Sequence, residues 1–347
     1  MIKLKTYSKK EKANKKARRK AFRDKSSHLK HLYRVALENI IPVNAPLALI
    51  SQIQRSGGSL FSQLFDGHPQ IYAHPDELNL GYPKKYIWPK IDLSNSPQAW
   101  FEILFEQNVI KHFEEGYKKG HKSEQRFLFM FLPTLQKEIF LKCIHSIESI
   151  TQRDIFDSYM TSYFGAWLNY QYSSSPKKFI TAFAPRLTIR RENVESFFEV
   201  YPDGRIISII RDPKNWFPSA ARHGSKKYRD LASALSQWNE NALAMINNKD
   251  SHNHNVIIIH FEDLIRNTEA VMRCVAEFLG LKFDDILLIP SFNKLPIKAN
   301  TSFKKPQHGI INDTLNRYKT LSQEELDTIS NMTHETYEEV LNRAVRK

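Results

Sequence analysis

Cysteine is nearly missing from this chain of 347 residues: only Cys143 and Cys274 occur. Two thiols argue against a disulfide framework and against a metal site built from cysteine, and they suit a reducing cytoplasm. No run of about 18 apolar residues is present, so no membrane-spanning helix is expected. The N-terminus lacks the apolar stretch of a secretory signal. No internal repeat and no metal-ligand spacing occurs, and the aromatic-and-basic signatures of nucleic-acid recognition are missing. The expectation is a cytoplasmic protein, attached to membranes peripherally at most, that uses no metal and no specific nucleic acid.

What is present is a globular composition, 41% apolar and 12% aromatic. The length suits one large α/β domain or two modest ones. Charge is uneven. Residues 1–40 hold 14 Lys/Arg and 3 Asp/Glu of a chain whose net charge is +14, so the remainder is nearly balanced. Lys3 to Lys20 reads as a solvated tail, because so many like charges repel. Phe22, Leu29, Leu32, Tyr33, Ala36, Leu37 and Ile40 then recur near helical spacing. Residues 1–40 are thus expected to be a basic arm with an amphipathic helix, and 41–347 a single domain. The arm either keeps the protein soluble and packs its helix on the core, or tethers it to an anionic surface such as lipid headgroups, polysaccharide or RNA.

Apolar runs and breakers organise the rest. Leu47 to Ile53, Ile206 to Ile210 and Val256 to Ile259 read as buried strands. Helical patterns follow each of them and recur at roughly 98–115, 153–172, 188–200 and 230–247. Alternating strands and helices indicate a parallel sheet covered on both faces, a three-layer α/β sandwich. Residues 290–312, rich in Pro, Lys, Ser and Asn, read as a long loop.

The first strand ends in Gln54-Arg55-Ser56-Gly57-Gly58-Ser59 and leads into a helix. A small-residue loop there exposes backbone N–H groups at the positive end of the helix and can wrap an anion. Gly57 and Gly58 allow close approach, and Arg55, Ser56 and Ser59 add charge and donors. The loop of nucleoside-triphosphate enzymes wants a lysine after its glycines, and none follows here. Arg211 comes directly after a buried strand, at the sheet edge where open α/β sheets bind ligands, and Ser219 falls eight residues on. An arginine fork with a hydroxyl suits a terminal phosphate.

Together these residues resemble the sulfotransferases that use 3′-phosphoadenosine 5′-phosphosulfate (PAPS). Gln54 to Leu78 looks like the family's P-loop-like 5′-phosphosulfate loop and the helix after it. Gly204 to Gly224 looks like its 3′-phosphate motif, with the eight-residue interval intact. His260 to Leu281, Asn300 to Phe303, His308 to Ile310 and Arg317 to Ile329 are similar to later segments of bacterial members. The resemblance covers about residues 46–330. It implies transfer of a sulfuryl group to a hydroxyl or amine, such as a carbohydrate's, leaving 3′-phosphoadenosine 5′-phosphate (PAP), without a metal. It places Arg55 against the transferring sulfate, Gly57, Gly58 and Ser59 around the phosphate, and Arg211 and Ser219 on the 3′-phosphate. The family usually carries a hydroxyl residue where Gly58 stands, so one donor is missing. Glu77, or Asp76 beside it, is the expected base, although the pair can equally cap a helix. His68 and His74 are further base candidates, and His74 and Arg186 are candidates for substrate contact. Two other classes share some of these features. A nucleotide kinase or NTPase would need the missing lysine. A basic nucleic-acid binder would act through residues 1–40.

Overall fold

The computed structural model describes residues 16, 27–80, 86–118, 125–172, 175–223, 228–298 and 309–345. Most of the basic arm, together with Asn300 to Phe303 and His308, lies outside these residues. The strands are β1 (Leu47–Ile50), β2 (Ile71–Glu77), β3 (Phe179–Phe183), β4 (Arg205–Ile210), β5 (Val256–His260) and β8 (Ala344–Val345). They form one sheet in the order β2-β3-β1-β4-β5-β8, and every pairing is parallel. A short antiparallel pair, β6 (Ser291–Phe292) with β7 (Leu295–Pro296), lies within the stretch expected to be loop.

The central strands are buried on both faces, as parallel strands must be when helices supply the crossovers. Their side chains alternate. Leu47 and Leu49 of β1 join a core with Ile180, Ala182 and Ile206, whereas Ala48 and Ile50 join another with Phe183, Ile207 and Ile259. The first face is covered by α3 (Pro97–Leu104), α5 (Pro133–His145), α6 (Gln152–Ala166) and α7 (Arg191–Val200), and its far end by α8 (Pro213–Ala221), α9 (Leu231–Ser251) and α12 (Gln323–Leu341). The second is covered by α2 (Gly58–Leu64), α10 (Phe261–Arg266) and α11 (Thr268–Phe278). The helix α1 over residues 27–38 packs Tyr33, Ala36 and Leu37 on the first core, and Ile40 just beyond it does the same. The architecture is a three-layer α/β sandwich around a six-stranded parallel sheet.

Two expected helices are interrupted, each for a visible reason. Residues 98–115 contain α3 and α4 (Asn108–Glu115), because Phe105 leaves helical geometry and turns Glu106 into the core. The Glu106 carboxylate there accepts from the Asn79 N–H at 3.0 Å and the Tyr159 hydroxyl at 3.2 Å, and meets His74 Nε2 at 3.1 Å. The pattern after β5 breaks at Asn267, dividing α10 from α11.

β2 is an edge strand and carries Pro75, which has no N–H to donate to a ladder. Its register against β3 shifts between Ala73 and Glu77, where four steps along β2 face two along β3. This bulge re-aims the acidic pair. Asp76 turns to His112 Nε2 at 2.9 Å and Asn108 Nδ2 at 3.3 Å on α4, while Glu77 faces the C-terminal edge of the sheet. His74 points inward, with its side chain fully buried against Glu106. Burial alone would pull its imidazole down, but Glu106 and the Asp76 carbonyl outweigh burial and hold it above the ordinary histidine value. The pairing therefore stabilises fully below about pH 6.5, the value of an unfolded imidazole, and is lost as pH rises through the higher folded value. Melting temperatures of the wild type and Glu106→Gln, followed from pH 5.5 upward, are expected to converge as pH increases. A gap that stays constant or widens would show that His74 carries no charge in the fold.

Candidate functional site

The chain leaves β1 to one side for β2 and β3 and crosses to the other for β4. The crevice at that switch, beyond the C-terminal strand ends, is where open α/β sheets bind ligands. It holds a cleft lined among others by Arg55, Gly57, Gly58, Ser59, Glu77 and Arg211.

The loop after β1 supplies the floor. Trp216 Nε1 donates to the Gln54 carbonyl at 2.8 Å, and Ile53 N donates to Asn241 Oδ1 at 2.8 Å. Both bonds fix the turn. Gly57 has φ 97°, a left-handed conformation that glycine adopts without strain, and starts α2. A Cβ on Gly57 would stand 2.4 Å from Phe261 Cε2. The first N–H groups of a helix have no intrahelical partner, and here the residues that carry them, Gly58, Ser59 and Leu60, line the cleft. Ser56 Oγ is buried beneath them without a hydrogen-bond partner among the described residues.

Three arginines converge above the loop. Arg55 Nε lies 3.5 Å from Ser219 Oγ, in the second turn of α8. Arg211 is 2% exposed. It donates to the carbonyls of Arg55 at 2.9 Å and Thr314 at 2.8 Å, and lies over the Phe261 ring at 4.6 Å. Its Nε, also buried, has no hydrogen-bond partner among the described residues. Arg317 Nη1 donates to Ser219 Oγ. Its backbone is set by Asn215 Oδ1, which accepts from the Arg317 N–H at 3.0 Å. Burial pushes Arg317 down to about 9, helped by Arg211, Arg55 and Arg222, and pushes Arg211 down to about 10 against the pull of Glu262. Burial also lowers Arg55. All three stay cationic at neutral pH. Such a crowd of like charge, half withdrawn from water, favours an anion of more than one negative charge.

The structure thus brings Arg55, Ser56, Gly57, Gly58, Ser59, Glu77, Arg211 and Ser219 to one place. Other candidates lie elsewhere. Asp76 is engaged by α4, and His74 by Glu106. His68 Nδ1 accepts from the Gln70 N–H at 3.2 Å, so its Nε2–H donates to the Lys282 carbonyl at 3.0 Å and ties the turn after α2. Arg186 is not among the residues lining the cleft; it reaches the Tyr228 hydroxyl and Gln237 Oε1, each at 3.3 Å, and lies over the Tyr86 ring. Arg317 was not singled out from the sequence. Its stretch was noticed only as part of a similar C-terminal segment, and nothing in spacing shows that it returns to the loop. A second, smaller cavity adjoins the cleft, and Glu77 lines both. Its other walls include Leu78, Leu80, Trp88, Pro185 and Leu187.

A donor nucleotide with a phosphate at each end fits these residues. Ser56 Oγ and Arg211 Nε are buried donors without a partner among the described residues, and Arg55, Arg211 and Arg317 line the same cleft. Among solved structures, the sulfotransferase domain of the Synechococcus PCC 7002 olefin synthase is 18% identical, with 85% of this chain and 97% of that one covered and a TM-score of 0.45. A sulfotransferase from Alicyclobacillus acidocaldarius is 14% identical, with 87% and 96% covered and a TM-score of 0.43. Mouse sulfotransferase SULT7A1, solved with PAP, is 14% identical, with 87% and 88% covered and a TM-score of 0.35. No curated protein matches significantly. The sequence profile of the sulfotransferase family, in contrast, matches residues 46–285, which run from the strand before the loop to beyond α11, and the chain belongs to that family.

Proposed function

We propose that the protein transfers a sulfuryl group from PAPS to a hydroxyl or amine of its acceptor and releases PAP. The observation that carries this reading is the convergence of the β1–α2 loop, Arg55, Arg211, Ser219 and Arg317 on one cleft. When bound, PAPS supplies the sulfuryl group, a 5′-phosphate that departs, and a 3′-phosphate by which it is held. The loop N–H groups and Arg55 receive the 5′ end, where negative charge grows as the bond to sulfur breaks. Donors preset for that charge lower the barrier, and losing one commonly costs about 2.7–4 kcal/mol. Arg211, Ser219 and Arg317 receive the 3′-phosphate. Glu77, between the cleft and the smaller cavity, takes the proton of an acceptor lodged in the latter. Neutralising the phosphates falls to the three guanidinium groups. A kinase reading gains nothing from the structure, since Ser59 stands where its lysine would be needed.

Three expectations follow from these roles. PAP binds the metal-free protein and, at about 100 times its dissociation constant, adds roughly 2.7 kcal/mol of stability. Titration calorimetry without binding at millimolar PAP would remove the reading. Arg211→Ala and Arg317→Ala each weaken PAP by about 1.5–3 kcal/mol, as expected for a lost charged contact, and adenosine 5′-phosphosulfate much less. Equal weakening of both nucleotides would place these arginines elsewhere on the ligand. Glu77→Gln lowers sulfate transfer from PAPS into acceptor by about 10²–10⁴-fold while PAP affinity holds. Asp76→Asn retains transfer. The reverse pattern, with Asp76→Asn inactive, would move the base by one residue.

A further inference from the structure

Gly58 is a glycine in a crowded place. A Cβ built on it would stand 1.8 Å from Gln52 Nε2 and 2.4 Å from Phe183 Cε2. The volume that a side chain at position 58 would take is filled instead by the Gln52 carboxamide and the Phe183 ring. Gln52 is 1% exposed, yet neither its amide nitrogen nor its amide oxygen has a hydrogen-bond partner among the described residues. Its backbone is fixed, with the carbonyl accepting from the Arg186 N–H at 3.0 Å. A buried amide left unpaired is costly, and a native protein keeps one only where something else satisfies it. Two further buried donors without partners among the described residues, Ser56 Oγ and Arg211 Nε, border the same loop. Orphan donors gathered around one anion-binding turn have a common remedy in the anion.

We infer that Gln52 is a donor of the phosphate loop: its Nε2–H pairs with an oxygen at the 5′ end of the nucleotide, in the place where Gly58 offers no side chain. This rests on the PAPS reading above. Phe183 both lines the cleft and flanks the amide, so a small shift of its ring admits the anion to Nε2. Gln52 thereby adds to the loop a contact that Arg55 and the backbone do not make.

The test compares PAP with adenosine 3′-monophosphate, which lacks the 5′-phosphate. Gln52→Met keeps length and bulk and removes the amide. It is expected to weaken PAP on the order of tenfold, the effect of one lost hydrogen bond, and to leave adenosine 3′-monophosphate unchanged. The empty variant is also expected to melt at a higher temperature than the wild type, because an unpaired polar group has gone. Unchanged PAP affinity, or equal weakening of both nucleotides with a lower melting temperature, would overturn the inference. Should Gln52→Met not fold, a crystal structure of the wild type with PAP decides. Nε2 within about 3.2 Å of a 5′-phosphate oxygen supports the role, and a larger separation overturns it. Absence of PAP binding to the wild type would instead remove the PAPS reading itself, whereas wild-type binding with an indifferent Gln52→Met removes this inference alone.

Discussion

Three guanidinium groups share one half-buried cleft, and holding them there against mutual repulsion is the constraint on which the site depends. Taking a charge out of water is costly unless oxygen atoms replace the solvent. Each arginine meets that demand differently. Arg211 is held by two backbone carbonyls and faces the charge of Glu262, itself buried in the first turn of α10. Arg317 is held by Ser219 and lies within reach of the other two charges. The carbonyl that Arg211 binds belongs to Arg55, so the residue before the glycine turn is fixed by one that follows another strand. The cleft is therefore assembled across the sheet and cannot form before β1 and β4 have paired.

The same sheet edge separates two neighbouring carboxylates. In a regular strand Asp76 and Glu77 would face opposite sides by alternation alone. Here the bulge around Pro75 adds to that, and α4 captures Asp76 through His112 and Asn108. Glu106 then anchors the strand from within, gripping the Asn79 N–H and His74 on either side of the pair. A buried network beneath the strand end keeps Glu77 at the border of the two cavities. The packing of α3, α4 and α6 thus acts on chemistry that none of these helices touches.

Much of this was legible in the sequence where local chemistry carries the signal. β1, β4 and β5 are short apolar runs bounded by breakers, and they read as buried strands. The glycine loop and the Arg211-to-Ser219 interval are local patterns with a physical purpose. β2 was less legible, because its histidine, proline and two acids look like a turn and make sense only beside a bulge. The break at Phe105 was hidden, since Glu106 is polar and its burial follows from partners 27 and 53 residues away. Arg317 and Gln52 were not singled out for a related reason. Arg317 returns to the loop from across the chain, and Gln52 matters through the space next to a glycine six residues on. Spacing along a chain reports neither.

The two cavities differ in the kind of precision they offer. The larger is walled mainly by residues at or just beyond the C-terminal ends of β1, β3 and β4, strands paired on both sides. Positions set in that way suit a nucleotide whose two charged ends must be held a constant distance apart. The smaller cavity is walled by apolar groups, Leu78, Leu80, Trp88 and Leu187 among them, on segments that leave the sheet after β2 and β3. Apolar walls give affinity without direction, so orientation of an acceptor there falls to its few polar neighbours. Glu77 is the carboxylate common to both cavities. Under the proposed function, an acceptor hydroxyl bonded to Glu77 would be turned by that bond towards the cleft, so that the contact taking its proton would also aim its oxygen.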